Sequence, residues 1–173
     1  LESVWNIVTR FASYSFNKAH ACSYGILAYQ AAFLKTHFVH EFACAVLNNH
    51  EGGYSLRTLL AEFQRCGVDF LAVDINKSAD RCTIEDGKVR IGLNHVKFLS
   101  EPSKLVIVNE RERSGLFESL ADLLKRVPLN NRELSALVLA GACDALWPLR
   151  NKLYPFEHEN VLKMLASRSE GAS

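Results

Sequence analysis

A mainly α-helical protein with one small β-hairpin is predicted by three observations. Apolar residues recur at helical spacing through most of the chain. Helix-starting residues (Ser55, Ser119, Asn130) stand directly before such runs, and glycines stand after them. Only one pair of short β-prone runs, Cys82-Thr-Ile84 and Val89-Arg-Ile91, flanks a tight-turn dipeptide, Asp86-Gly87.

In chain order, Val4, Ile7, Val8 and Phe11 keep one-face spacing for a first helix. A second helix is predicted from Lys18 through to Asn48 as one piece, its Gly25–Leu47 stretch buried. That stretch is long enough to suggest a membrane span, but Gln30, Lys35, His37, His40 and Glu41 inside it are too costly in lipid. Asn48-Asn-His-Glu-Gly-Gly53 is a loop by its turn chemistry. Ser55 then caps a helix that buries Leu56, Leu59, Leu60 and Phe63 and stops at Gly67.

An extended stretch at Asp69–Val73 leads to the hairpin. Beyond it, Ser100 or Ser103 caps a helix running to about Arg113 and ended by Gly115. Ser119 caps a helix carrying Leu120, Leu123, Leu124 and Val127. Asn130-Asn-Arg-Glu133 is a capping box, with Leu129 and Leu134 placed as a hydrophobic staple, and its helix closes at Gly141. Residues 1–76 are thus read as one helical unit and 77–155 as a hairpin followed by short helices. Residues 156–173 are read as a C-terminal helix with a frayed end.

With 49% hydrophobic residues in 173, the chain can bury one sizeable core or two small ones. Twenty Lys and Arg balance nineteen Asp and Glu, so nucleic-acid contact has to be local rather than a property of the whole surface. Five scattered cysteines without a Cys-x-x-Cys read as reduced thiols of a cytoplasmic protein. The chain opens on Leu1 without a signal-peptide pattern and holds a single methionine, Met164, which suggests a segment of a longer protein. No nucleophile elbow, phosphate-binding glycine loop or Walker lysine is present, which leaves a hydrolase or nucleotidase reading with nothing but residue types.

The chemistry-bearing stretch is Ser15-Phe-Asn-Lys-Ala-His-Ala-Cys-Ser-Tyr24, expected to form a partly buried site at the mouth of the second helix. His20 and Tyr24 are four residues apart and share a helix face, with Lys18 close by, so a stacking ring and phosphate-reaching donors converge. The plain alternative is a helix start with a satisfied histidine and an edge tyrosine. His37, His40 and Cys44 form a second constellation of zinc-ligand types on one helix face, although a fourth ligand has to come from at least a turn away.

Phe16-Asn-Lys-Ala-His-Ala-Cys-Ser-Tyr24, Leu27-Ala-Tyr-Gln-Ala-Ala-Phe-Leu-Lys-Thr-His37 and Glu41-Phe42 together resemble the fingers region of bacterial DNA polymerase III alpha subunits. Further landmarks follow in the family's order: Arg65-Cys-Gly-Val68, Val73-Asp-Ile-Asn76, Arg90-Ile-Gly-Leu93, Gly115-Leu-Phe117, Leu129-Asn-Asn-Arg132 and Leu139-Ala-Gly-Ala142. Gly53-Tyr-Ser55, Val73-Asp-Ile-Asn-Lys-Ser78 and Leu99-Ser-Glu101 are similar to the error-prone branch, whereas Phe16-Asn-Lys-Ala-His20 is similar to the replicative one.

The resemblance implies that Lys18, His20 and Tyr24 face the incoming nucleotide. It also implies that Val89 to about Asp144 is a helix-hairpin-helix unit holding duplex phosphates without reading sequence, with Lys97, Ser100, Lys104 and Arg132 as DNA contacts. Two positions depart from the family: Phe98 and Ser100 stand where the turn glycines are usual, and Ala72-Val73 replaces a diproline. The first hairpin is therefore expected either to bind DNA weakly or to serve the fold alone.

The metal-holding aspartates of such polymerases lie in the palm, upstream of this region, and no Asp-x-Asp occurs here. Mg²⁺ is thus expected in the palm of the parent enzyme, no cofactor in this segment, and no polymerisation by the segment alone. Implied partners are primer-template DNA, a deoxynucleoside triphosphate, other polymerase domains, and sliding clamp or replisome subunits, although no clamp-binding pentapeptide is evident. A non-catalytic helical module that binds DNA or a protein is the alternative.

Overall fold

The computed structural model describes residues 2–15, 18–50 and 52–146. The expected C-terminal helix and tail at 156–173 lie outside these residues, as does the side chain of Phe11. The mainly helical expectation holds. Seven helices are described: α1 Glu2–Ser15, α2 Lys18–His37, α3 Val39–Asn48, α4 Leu56–Arg65, α5 Glu101–Ser114, α6 Leu120–Arg126 and α7 Asn131–Leu139. Three short strands, β1 Phe70–Leu71, β2 Thr83–Glu85 and β3 Lys88–Arg90, make a sheet in the order β1-β3-β2.

Local chemistry sets the element ends as expected. The Ser55 side chain accepts from Thr58 N, and that of Ser119 accepts from Asp122 N. Asn130 and Glu133 complete a reciprocal capping box. Ser100, rather than Ser103, caps α5. The hairpin turns on Asp86 (φ 50°) and Gly87 (φ 73°), the pair of left-handed residues that matches the twist of two strands joined by a two-residue loop. β2 pairs antiparallel with β3, and the extended stretch after α4 adds β1 as a parallel partner, with Val89 N donating to Asp69 O.

Two corrections concern the second predicted helix. It is broken at Phe38 (φ −138°, ψ 52°) into α2 and α3. Phe38 N still donates to Leu34 O and Phe42 N to Phe38 O, so the break is a one-residue swing of the axis, and no glycine or proline marks it. The swing lets α3 lay Ala43 and Leu47 against α4, where Phe42 and Phe63 meet edge to face at 6.1 Å. α2 itself is not buried. Tyr24, Ile26, Leu27, Tyr29, Phe33 and Leu34 are all exposed, Tyr29 at 71%. Near the C-terminus of α2, Lys35, half-buried, lies 2.8 Å from the Glu62 carboxylate and ties the helix to α4. α1 likewise exposes Val4, Trp5, Ile7 and Val8.

Two apolar clusters organise the remainder. Ala43, Leu47, Phe63, Val68, Cys82 and Val89 form the first, between α3, α4 and the hairpin. The second gathers Ile75 from before the hairpin, Leu93 from just after it, and Ile107, Phe117, Leu123, Leu134, Leu137 and Val138 from α5–α7 and the link between α5 and α6. Ile91 packs against both.

Two asparagine side chains act as backbone partners within this framework. Asn48 accepts from Cys82 N (2.7 Å) and donates to Cys82 O (2.9 Å). Asn76 does the same to Phe117, accepting from N (2.8 Å) and donating to O (2.9 Å).

Candidate nucleic-acid interface

The interface is built from two successive helix-turn-helix units. In the first, β3 leads through Gly92 into a single 3-10 turn (Leu93–His95). Val96 to Leu99 then form the bend, and α5 starts at its Ser100 cap. In the second, α6 ends at Val127, Pro128-Leu-Asn130 make the bend, and α7 follows. The bends rest on the buried Leu93, Val96, Leu99, Val127 and Leu134, all in one cluster, which holds the two units together.

Glu133 joins them. Its side chain is buried, only 4% exposed, and accepts on one oxygen from Ser100 N, Ser100 Oγ and Ser103 Oγ, and on the other from Asn130 N. The N-termini of α5 and α7 are thereby brought to one edge of the molecule. Burial works against its ionisation, but the hydrogen bonds from the two serines and from the Asn130 and Ser100 backbone outweigh it and bring the carboxyl down to about 2.

At the same edge the first bend exposes Phe98, whose φ of 71° lies in the left-handed region. That conformation costs a residue with a Cβ about 1 kcal/mol or more. Two cations meet the ring: the Arg132 guanidinium carbon is 3.9 Å from its centroid and the Lys97 ammonium 5.0 Å. Each contact is worth about 0.5–1 kcal/mol at an exposed site.

The sequence-predicted DNA contacts therefore separate. Lys97 and Arg132 come together on Phe98, and Ser100 lies beside them, spending its N–H and hydroxyl on Glu133. Lys104 does not join that edge. Its side chain is 5% exposed and its ammonium is paired with Glu101 and, at 3.8 Å, with Asp80. It lies on the buried face of α5, out of solvent, and two carboxylates compensate the charge. Beside it, His95 Nε2 is buried without a partner, and burial, with help from His50 and Lys104, lowers that imidazole's pKa.

The nucleotide-facing candidates lie on the first turns of α2. His20 and Tyr24 do converge, with ring centroids 4.4 Å apart and planes tilted by 60°. Lys18 is at the first residue of the helix, six positions from Tyr24 and so about a third of a turn off its face. All three are exposed on α2 rather than set in a partly buried mouth. The zinc constellation does not assemble: Cys44 donates to Cys82 O, His37 lies against Phe33, and the described residues hold no cluster of three metal-ligand side chains. No helix among the described residues is long and apolar enough to cross a membrane.

Sequence reasoning missed two features here. Glu133 was legible as half of a capping box, but its reach to Ser100, 33 residues away, has no local signal. Phe98 was legible as a departure from glycine, but not as a platform for two cations.

The helix-hairpin-helix motif family matches residues 67–153. The chain is 37% identical over 147 residues to DNA polymerase III subunit alpha of Thermus aquaticus, covering 82% of this chain and 12% of that protein. Against the same subunit of Pseudomonas aeruginosa it is 38% identical over 151 residues, covering 84% of this chain and 13% of the relative. Against that of Aquifex aeolicus it is 33% identical over 157 residues, covering 88% and 14%. The chain spans 12–14% of the length of these relatives.

Proposed function

The chain belongs to the helix-hairpin-helix motif family and is a segment of the DNA polymerase III alpha type, and from that premise we propose that it holds duplex DNA and the incoming nucleotide during template-directed synthesis. The observation that carries the DNA half is the single edge where the N-termini of α5 and α7 meet, flanked by Lys97 and Arg132. Backbone N–H groups at helix starts and fixed cations suit phosphates of any sequence. In this reading the duplex lies across that edge, and Lys104 serves the fold.

The nucleotide half rests on Lys18, His20 and Tyr24. An ammonium suits a triphosphate and a tyrosine face suits a base or sugar. Phosphoryl transfer needs carboxylates that hold two divalent ions. The six aspartates of this chain include no Asp-x-Asp, so Mg²⁺ is assigned to the palm of the parent enzyme and the present residues to positioning. The parent is a cytoplasmic replication enzyme in this proposal, with other polymerase domains and clamp or replisome subunits as partners.

The test of the DNA half is duplex binding by this chain across a salt series. Affinity is expected to fall steeply with salt as counterions are released, and Lys97→Ala or Arg132→Ala to reduce the slope by about 1 each, equally for all sequences. Salt-insensitive binding, or none, overturns it. For the nucleotide half, Lys18→Ala and Tyr24→Ala in the full-length parent are expected to lower kcat/KM for nucleotide about tenfold, or ~1.4 kcal/mol, without unfolding. Unchanged steady-state nucleotide kinetics in both variants defeats the assignment.

The second reading is a non-catalytic module that docks on protein. It is favoured by the exposed apolar face of α2, with Ile26, Leu27, Tyr29, Phe33 and Leu34. Salt-insensitive association with protein and no DNA affinity is its expected outcome.

A further inference from the structure

Phe98 is the one described non-glycine residue besides the hairpin's Asp86 whose φ is positive, and it is 52% exposed. Neither folding term favours a phenylalanine there. The left-handed conformation suits glycine, and the ring fills no core. Such strain is kept where the side chain has work to do.

What the ring does touch is Arg132 at 3.9 Å and Lys97 at 5.0 Å, one cation from its own bend and one from the first turn of α7. We propose that Phe98 is a positioning residue that gathers Lys97 and Arg132 into a two-cation clamp for a backbone phosphate of duplex DNA, replacing the close backbone approach that a glycine bend gives. This rests on the DNA-binding reading above.

The ligand class follows from what the cluster presents. The ring is engaged by two cations, so the chemistry left facing solvent is positive charge with guanidinium and ammonium donors, which matches a phosphodiester. Glu133, next to Arg132 in sequence, spends both oxygens on Ser100, Ser103 and Asn130 and is buried, so its charge is not spent on the clamp. A flat guanidinium held against an aromatic ring keeps its N–H edge free for phosphate oxygens.

The test is duplex affinity of the unaltered chain and of Phe98→Tyr, Phe98→Leu and Phe98→Gly, each with a thermal melt. Tyrosine keeps the ring and is expected to bind as the unaltered chain does. Leucine and glycine are expected to bind about three- to tenfold more weakly with a shallower salt slope. Glycine at the same time leaves the melting midpoint about level, because the left-handed strain it relieves offsets the two ring contacts it removes. Weaker binding with unreduced stability separates a binding role from a folding one. Leucine and glycine variants that bind as tightly as the unaltered chain overturn the clamp and leave the DNA reading standing. So does a tyrosine variant as weak as leucine, or a glycine variant that loses stability. An unaltered chain with no duplex affinity at low salt overturns both.

Discussion

Glu133→Ala is expected to destabilise the fold by about 3 kcal/mol and to lower the melting midpoint by about 6 to 12 °C. One carboxylate answers four donors: Ser100 N, Ser100 Oγ, Ser103 Oγ and Asn130 N. Hydrogen bonds to a charged acceptor contribute about 1.5–3 kcal/mol each in mutational series, and the serine hydroxyls can turn to water, so the sum is discounted to the figure above.

The pH dependence has a defined sign. The native carboxyl is held at about 2, against an ordinary 4.5 in the unfolded chain. Between those values the unfolded state binds the extra proton, so stability rises with pH. The contribution is fully present above about 4.5 and is lost as pH falls towards about 2. Chemical denaturation at stepped pH reads this directly, and Glu133→Gln should lack the acid step. A melt indifferent to Glu133→Ala would show that the two units are held by packing alone.

Gly92→Ala is expected to be at least as damaging, about 3–4 kcal/mol, for a reason unrelated to backbone torsion. A methyl there would lie 2.4 Å from the Arg81 carbonyl carbon, 2.6 Å from Asp80 O and 2.7 Å from Cys82 N. All three are main-chain atoms, and none is free to yield. Asp80 O accepts from Asn94 N at 2.8 Å, and Cys82 N donates to Asn48 at 2.7 Å. The internal control is Gly25→Ala. That glycine lies within α2 with nothing inside 4 Å of the added carbon, so alanine should cost nothing and contribute about 1 kcal/mol of helix propensity. Circular-dichroism melts of the two variants should therefore move in opposite directions, and a Gly92→Ala protein as stable as the original would show that the Asp80–Cys82 chain can move.

What could be read from the chain divides along a physical line. Signals carried by neighbours in sequence were legible: the caps Ser55, Ser119 and Asn130, the Asp86-Gly87 turn, and the helix ends at Gly67, Gly115 and Gly141. Each depends on a few adjacent torsions. Signals that depend on what lies across the fold were not. The break at Phe38 exists because α3 turns its Ala43 and Leu47 onto α4, a partner with no trace at positions 37–39. Lys104 reads as a DNA contact from the sequence, and its burial against Asp80, 24 positions earlier, has no local signal.

The site was legible to the same degree. The His20–Tyr24 pairing is a four-residue relation and was anticipated. The Phe98–Arg132 contact spans 34 positions, and nothing local announces it. The apolar face of α2 misled for the converse reason. Composition says that such a face wants cover, but not that the cover comes from this chain.

The two asparagine clasps bear on which substitutions the protein tolerates. Asn48 and Asn76 each grip another residue by its peptide group alone, so the side chains at Cys82 and Phe117 are judged by packing and not by the grip. The gripping positions have no such latitude. Aspartate keeps the oxygen but sets a negative charge against a carbonyl, and glutamine adds a methylene that pushes the amide out of register. A family of functional variants should therefore drift freely at 82 within the limits of size, while 48 and 76 stay asparagine. Spontaneous deamidation at either would unlatch the fold from within, an ageing chemistry aimed at two single atoms.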